Sequence, residues 1–164
     1  MTTVLRGDST DIDGAAQVWA EATAARDGDP DVAPPEISRP VIASVLGRAR
    51  AVLVVALGDA GQVVAFAAAA PARDGTAGSA SRAEVEYVGV RPGQWGAGLA
   101  RDVLRLLRAE LADDGFTDAQ LMVYVSNRRA TALYEQLGWQ RQGNPRPHPR
   151  TGKPQQRYRL TLAE

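Results

Sequence analysis

The chain has 164 residues, 45% hydrophobic and 23% charged, with a formal net charge of zero and no cysteine. Those figures fit one folded domain, exclude global disorder, and argue against a general polyanion binder. Without cysteine there is no disulfide, thiolate metal site or cysteine nucleophile, which agrees with a reducing cytosol. The first residues lack the basic-then-apolar pattern of a signal peptide. The longest apolar region, residues 51–70, is broken at Gly58-Asp59 and Gly61-Gln62, so neither half is long enough to span a bilayer as a helix. The expectation is a cytoplasmic protein with no membrane partner. Charge is unevenly spread, however. No acid stands between Gln136 and Ala163, where Arg141, Arg146, Arg150, Lys153, Arg157 and Arg159 do, whereas residues 21–36 hold Glu21, Asp27, Asp29, Asp31 and Glu36 against Arg26.

In chain order, residues 4–6 predict a short strand, and helical spacing of Ile12, Ala15, Ala16, Trp19 and Ala20 predicts a helix over 11–26 with Trp19 in the core. A loop through Asp27-Gly28 and Pro34-Pro35 follows. A second helix starts at Glu36 or Ser38 and reaches Leu46, with Pro40 confining its beginning to the first turn. The runs at 51–57 and 62–70 read as strands joined by a Gly58–Gly61 hairpin turn, the alanines after Phe66 being weak strand formers. Residues 74–81 are a Gly/Ser/Ala loop. A strand over 83–91 leads through a glycine-rich turn into a helix over 99–111, whose Leu99, Val103, Leu107 and Leu111 share one face. A strand at 119–125, a helix at 127–137 ended by Gly138, and strands at 139–142 and 156–162 around a Pro-rich basic loop complete the chain.

The glycine turn aims backbone N–H groups and a helix N-terminus at one point, which suits a phosphate. Two nucleotide motifs fail there. Gly93 and Gly98 have P-loop spacing, but Leu99-Ala100 stands where Lys-Ser/Thr is needed. Counting from Gly96 and Gly98, the dinucleotide fingerprint needs glycine where Arg101 stands. A second block, Asn127-Arg-Arg-Ala130 through Tyr134 to Gly138-Trp139, follows the next strand; Asn127 suits an N-cap and Gly138 a left-handed C-cap.

Together the two blocks resemble the acetyl-CoA motifs of the GNAT superfamily of N-acetyltransferases, matched at Val90, Pro92, Gly98 and Ala100, then at Asn127, Ala130, Tyr134, Gly138 and Trp139. Trp95 stands where the family places Arg or Gln, with Gln94 one position early. The resemblance implies an α/β (α+β) fold in a single domain over residues 1–164. Its mixed, mostly antiparallel central sheet has about six or seven strands flanked by about four helices. The resemblance further implies a sheet splayed between the strands at 83–91 and 119–125. It implies acetyl-CoA as co-substrate, no metal, a small-molecule primary amine as acceptor, and no nucleic acid; a homodimer is an assembly it allows. A protein acetyltransferase and a non-catalytic acyl-CoA sensor are the alternative readings.

The resemblance also assigns residues. N–H groups of Trp95, Gly96, Ala97, Gly98, Leu99 and Ala100 would cradle the pyrophosphate, and the backbones of Val88 and Val90 would pair with the pantetheine arm. Asn127 would touch the cofactor or serve only as an N-cap. Tyr134 would protonate the departing thiolate. An alkyl amine, with a pKa of about 10.4, must lose a proton before it attacks. Glu84 and Glu86, two apart on one strand face, are the candidate bases, and each raises the other's pKa. The basic loop around His148 reads as a solvated face, a CoA-phosphate contact, or a grip on an acidic substrate group.

Overall fold

A computed structural model describes residues 2–73 and 81–162; the expected Gly/Ser/Ala loop lies outside them except for Ser81. In order come β1 (Thr3–Arg6), α1 (Ile12–Asp27), α2 (Pro35–Leu46), β2 (Val52–Leu57), β3 (Val63–Pro71), β4 (Arg82–Val90), α3 (Leu99–Asp113), β5 (Asp118–Tyr124), α4 (Arg128–Gln136), β6 (Gln140–Pro147) and β7 (Pro154–Thr161). The strands form one seven-stranded sheet in the order β1-β2-β3-β4-β5-β7-β6. Every neighbouring pair is antiparallel except β4 with β5. The expected α/β fold is therefore present.

Strand alternation assigns the two cores. Val52, Val54 and Ala56 of β2, with Ala65, Ala67 and Ala69 of β3, pack under the α3 stripe of Leu99, Val103, Leu104, Leu107 and Leu111. The alternate residues Leu53, Val55, Phe66, Ala68 and Ala70 meet Ala15, Ala16 and Val18 of α1 and Ile42 and Val45 of α2. The alanines of β3 are poor strand formers in isolation, yet all are buried. They lie between helices on both faces, where a small side chain lets each helix close on the sheet. Gly89 of β4 serves the same close approach: a Cβ there would sit 2.9 Å from Phe66 and 3.5 Å from Val18.

Two boundaries differ from the sequence reading. Helix α2 begins at Pro35 and carries Pro40 in its interior, beyond the first turn. The bond that Pro40 cannot donate would go to Glu36, an exposed first-turn residue, so water can meet that carbonyl. The last hairpin is longer than expected, because β6 runs through Pro145 and Pro147. β6 is the edge strand, where a missing N–H costs no ladder bond, and its pairing with β7 shifts register between Gln142 and Arg146. Among the described residues no helix is long and apolar enough to cross a membrane.

Candidate active site

The sheet opens at its only parallel pair. β4 and β5 are in register over Arg82–Asp118, Ala83–Ala119 and Glu84–Gln120 and then part, while each stays bonded to its outer neighbour. The N–H of Arg91 donates to the Val64 carbonyl at 2.8 Å. Polar groups alternate along a strand, so those of Val90 and Val88 point the other way, into the opening. The expected splay between these strands is present, with the backbone edge proposed for the pantetheine arm along one side.

At the end of that edge the chain turns through Gly96 (φ 89°) and Gly98 (φ 81°), a left-handed backbone that glycine adopts without strain, and Gly98 becomes the N-cap of α3. No side chain caps this helix. The turn uses some of its own donors: Trp95 N–H bonds Pro92 at 3.2 Å and Ala97 N–H bonds Gln94 at 3.4 Å. Those of Gly96, Gly98, Leu99 and Ala100 make no such turn bond, leaving four amides beside the positive end of α3. A Cβ at Gly98 would meet nothing within 4 Å. The loop is thus open toward a ligand, and its amides fit a pyrophosphate.

Trp95, the irregular position, has a structural explanation. Its indole N–H donates to the Val90 carbonyl at 2.8 Å, closing the outer end of the β4 edge. The Arg129 guanidinium lies 5.8 Å from the Trp95 ring centroid and adds a cation beside the turn. Asn127 caps α4, its side-chain oxygen accepting from Ala130 N–H at 3.2 Å.

Glu84 and Glu86 share a face, as strand alternation predicts, and a bulge adds Tyr87 to it. Val85 belongs to the core under α3, and strict alternation would send Tyr87 there too. The β3–β4 register shifts between Val85 and Tyr87, and Tyr87 packs with the α1–α2 core instead. Glu84, Glu86 and Tyr87 line one open cleft of about 360 Å³, with Arg48, Arg73, Gln120, Met122 and Arg157 around it. Gln120 donates to Glu84 Oε1 at 2.7 Å and accepts from Arg157 at 3.1 Å. Arg48 faces Glu86 at 3.7 Å. Burial, and then the Glu86 charge, push the Tyr87 hydroxyl above the usual phenol range, partly opposed by Arg150.

Tyr134 is not part of that cavity. It is only 8% exposed within the α3-side core, 5.9 Å from the Trp139 ring centroid and 6.2 Å from that of Tyr158. Burial pushes its hydroxyl up to about 12. No hydrogen bond to that hydroxyl is formed among the described residues, so its O–H is free to meet a ligand. The candidate acid and the candidate bases therefore stand on opposite faces of the sheet.

Other sequence candidates find structural duties. Trp19 is partly buried, edge-on to Tyr87 at 6.1 Å. His148 Nδ1 accepts from the N–H groups of Arg150 and Thr151, holding the tip of the last hairpin 5.7 Å from Tyr124. The basic region divides: Arg141 pairs with Glu135, while Arg157 reaches the cavity. In the acidic segment, Asp27 pairs with Arg26 and Glu21 faces Arg91. Arg48, Gln120 and Arg129 are not singled out by sequence, and Arg157 stands there only as one of the basic run. Arg129 lies inside the second block but at none of its matched positions, and the other three acquire meaning only through the folded arrangement.

The sequence profile of the acetyltransferase (GNAT) family matches residues 18–139. A mycothiol acetyltransferase of Kocuria rhizophila is 40% identical over 67 residues, 41% of this chain and 22% of that protein. This alignment spans only about a fifth of that relative's length. Among solved structures, the ribosomal-protein-S18-alanine N-acetyltransferase of Escherichia coli superposes with a TM-score of 0.77 at 24% identity, over 100% of this chain and 96% of that one. A Salmonella typhimurium protein solved with its cofactor acetyl-CoA gives 0.79 at 18% identity, over 100% and 95% of the two chains. With the profile covering most of its length, the chain belongs to the acetyltransferase (GNAT) family.

Proposed function

We propose that residues 1–164 form one acetyl-CoA-dependent N-acetyltransferase domain that acetylates a small-molecule primary amine by direct transfer. The observation that carries this reading is the β4 edge at Val88 and Val90, which pairs with no strand past Glu84 and runs into the open Gly96–Gly98 turn. Four amides and the α3 dipole suit a pyrophosphate there, and the β4 edge suits an extended amide-bearing arm. When bound, acetyl-CoA supplies an acetyl group activated as a thioester.

The residues of the chain then divide the work. Glu84, hydrogen-bonded by Gln120 at the apex of the opening, takes the ammonium proton directly or through water, with Glu86 as the alternative base. Burial pushes the Tyr134 hydroxyl up to about 12 and keeps it protonated, so it can hydrogen-bond the departing sulfur as negative charge builds there. Arg129 beside the turn adds positive charge for the phosphates. Without cysteine, and with the lone histidine used in a turn, direct transfer needs no nucleophilic side chain. A small acceptor is supported by the cavity size and by the name of the curated relative.

The test is release of free CoA from acetyl-CoA across a panel of amines and short peptides. Turnover that depends on a free amine supports the proposal. Acetyl-CoA binding with no turnover across the panel would leave a sensor instead, and turnover of peptides alone would leave a protein acetyltransferase.

A further inference from the structure

The cavity beside Glu84 and Glu86 is richer in cations than its two carboxylates require. Arg48, Arg73 and Arg157 all line it. Arg48 is fixed in place, its Nη2 donating to the Pro71 carbonyl at 2.6 Å. Its Nη1 is buried with no hydrogen-bond partner, because Glu86 stands 3.7 Å away, too far for one. On the opposite wall a single acceptor, Gln120 Oε1, is shared by Arg157 at 3.1 Å and Arg159 at 3.4 Å, and the Arg159 Nε is also buried without a partner. Among the described residues, arginine donors here outnumber the acceptors that meet them.

Resting on the acetyl-transfer reading, we infer that the acceptor is an amine that carries its own anion, a carboxylate or phosphonate a few bonds from the nitrogen. The anion sits against Arg48 and Arg73, whose planar guanidinium groups match such oxygens. The nitrogen then lies toward Glu84 at the apex, where β4 and β5 part. A substrate with only positive charge would face the same arginines without compensation, so the lining selects against polyamines. The arginines also assist the chemistry, since nearby positive charge lowers the pKa of an ammonium and eases its loss of a proton.

The test compares matched amines: β-alanine and aminomethylphosphonate against β-alaninamide and ethylamine, with CoA release as readout. The two acid-bearing amines should be used with kcat/KM at least about tenfold above the pair that carries only the ammonium charge, and their ratio shows which anion is preferred. Arg73→Ala, at an exposed side chain, and Arg48→Met should each raise KM for the preferred anionic amine about tenfold or more and shrink its advantage. Should Arg48→Met fail to fold for want of the Pro71 bond, Arg73→Ala still decides. Equal or better use of the amines without an acid group overturns the inference, as does an unaltered preference in Arg73→Ala. Acetyl-CoA binding is measured separately by calorimetry. If it is absent, the acetyl-transfer reading itself fails. If it is present and neither anionic amine binds or is acetylated, only the present inference fails.

Discussion

The two faces of the β4–β5 opening are built by different means. Toward α3 the surface is mainly backbone: the Val88–Val90 edge, the glycine turn and a helix N-terminus, with Trp95 and Arg129 at the rim. Toward α1 and α2 the surface consists of side chains drawn from distant segments, with Arg48, Glu84, Gln120 and Arg157 meeting only because the sheet aligns them. A backbone surface recognises what is common to every reaction of a fold. A side-chain surface can be rewritten one residue at a time. The first half should therefore tolerate side-chain changes and fail on backbone changes, and the second should do the reverse.

The largest effect is expected at Gly98. Valine there must adopt φ 81°, strained for a branched residue, and the turn would lose its aim. With two charge-assisted bonds at stake, kcat/KM for acetyl-CoA should fall roughly 100-fold or more; a near-normal value in steady-state kinetics would mean that the turn does not hold the phosphates. On the side-chain half, Glu84→Gln should lower kcat about 100-fold at pH 7 with acetyl-CoA affinity unchanged. That deficit should narrow as pH rises toward about 10, where the amine sheds its proton unaided. Glu86→Gln should cost less than about tenfold, and the opposite ranking would exchange their roles.

Tyr134 links the halves. Tyr134→Phe should lower kcat roughly tenfold or more while leaving acetyl-CoA binding in place, and an unchanged kcat removes it from the mechanism. Its burial makes a separate prediction for stability. The folded-state pKa, about 12, lies above the ordinary phenol value of 10.0, so the unfolded chain ionises first as pH rises. The contribution of this group is fully present below pH 10, and is lost at up to about 1.4 kcal/mol per pH unit between 10 and 12. Denaturant melts over that range should show a shallower decline for Tyr134→Phe. The smallest effect is expected from Trp95→Phe, which frees the Val90 carbonyl and removes one neutral hydrogen bond. A change of acetyl-CoA Kd within about tenfold fits that role, and a larger loss would make the indole part of the binding surface.

The same division explains what the sequence disclosed. The spacing of Gly96 and Gly98 before the Leu99 stripe, and of Asn127, Tyr134 and Gly138 along one helix, is local, so the elements of the cofactor side were legible. So was the splay, through family resemblance. The side-by-side placement of Glu84 and Glu86 also followed from strand period, although a bulge adds Tyr87 to their face. Nothing local marks Arg48, in the turn after α2, or Gln120 and Arg157, which sit on neighbouring strands 37 residues apart in sequence. The strand character of Ala67 to Ala70 was ambiguous for a related reason, because burial between two helix layers, not intrinsic preference, selects small residues there. Pro147 was read as loop, but the edge position of β6 makes its missing donor harmless.

The opening between β4 and β5 also has a cost when no ligand fills it. Two strands inside one sheet present bare edges to each other, a template that a stray extended chain could complete. Met122 and Val125, 36% and 41% exposed beside the gap, make that template sticky. Only the shortness of the β4 edge, Pro92 just beyond it, and the Trp95 indole on Val90 stand guard. Shelf life should follow occupancy: concentrated protein held warm without acetyl-CoA should cloud sooner than the same protein kept saturated with it.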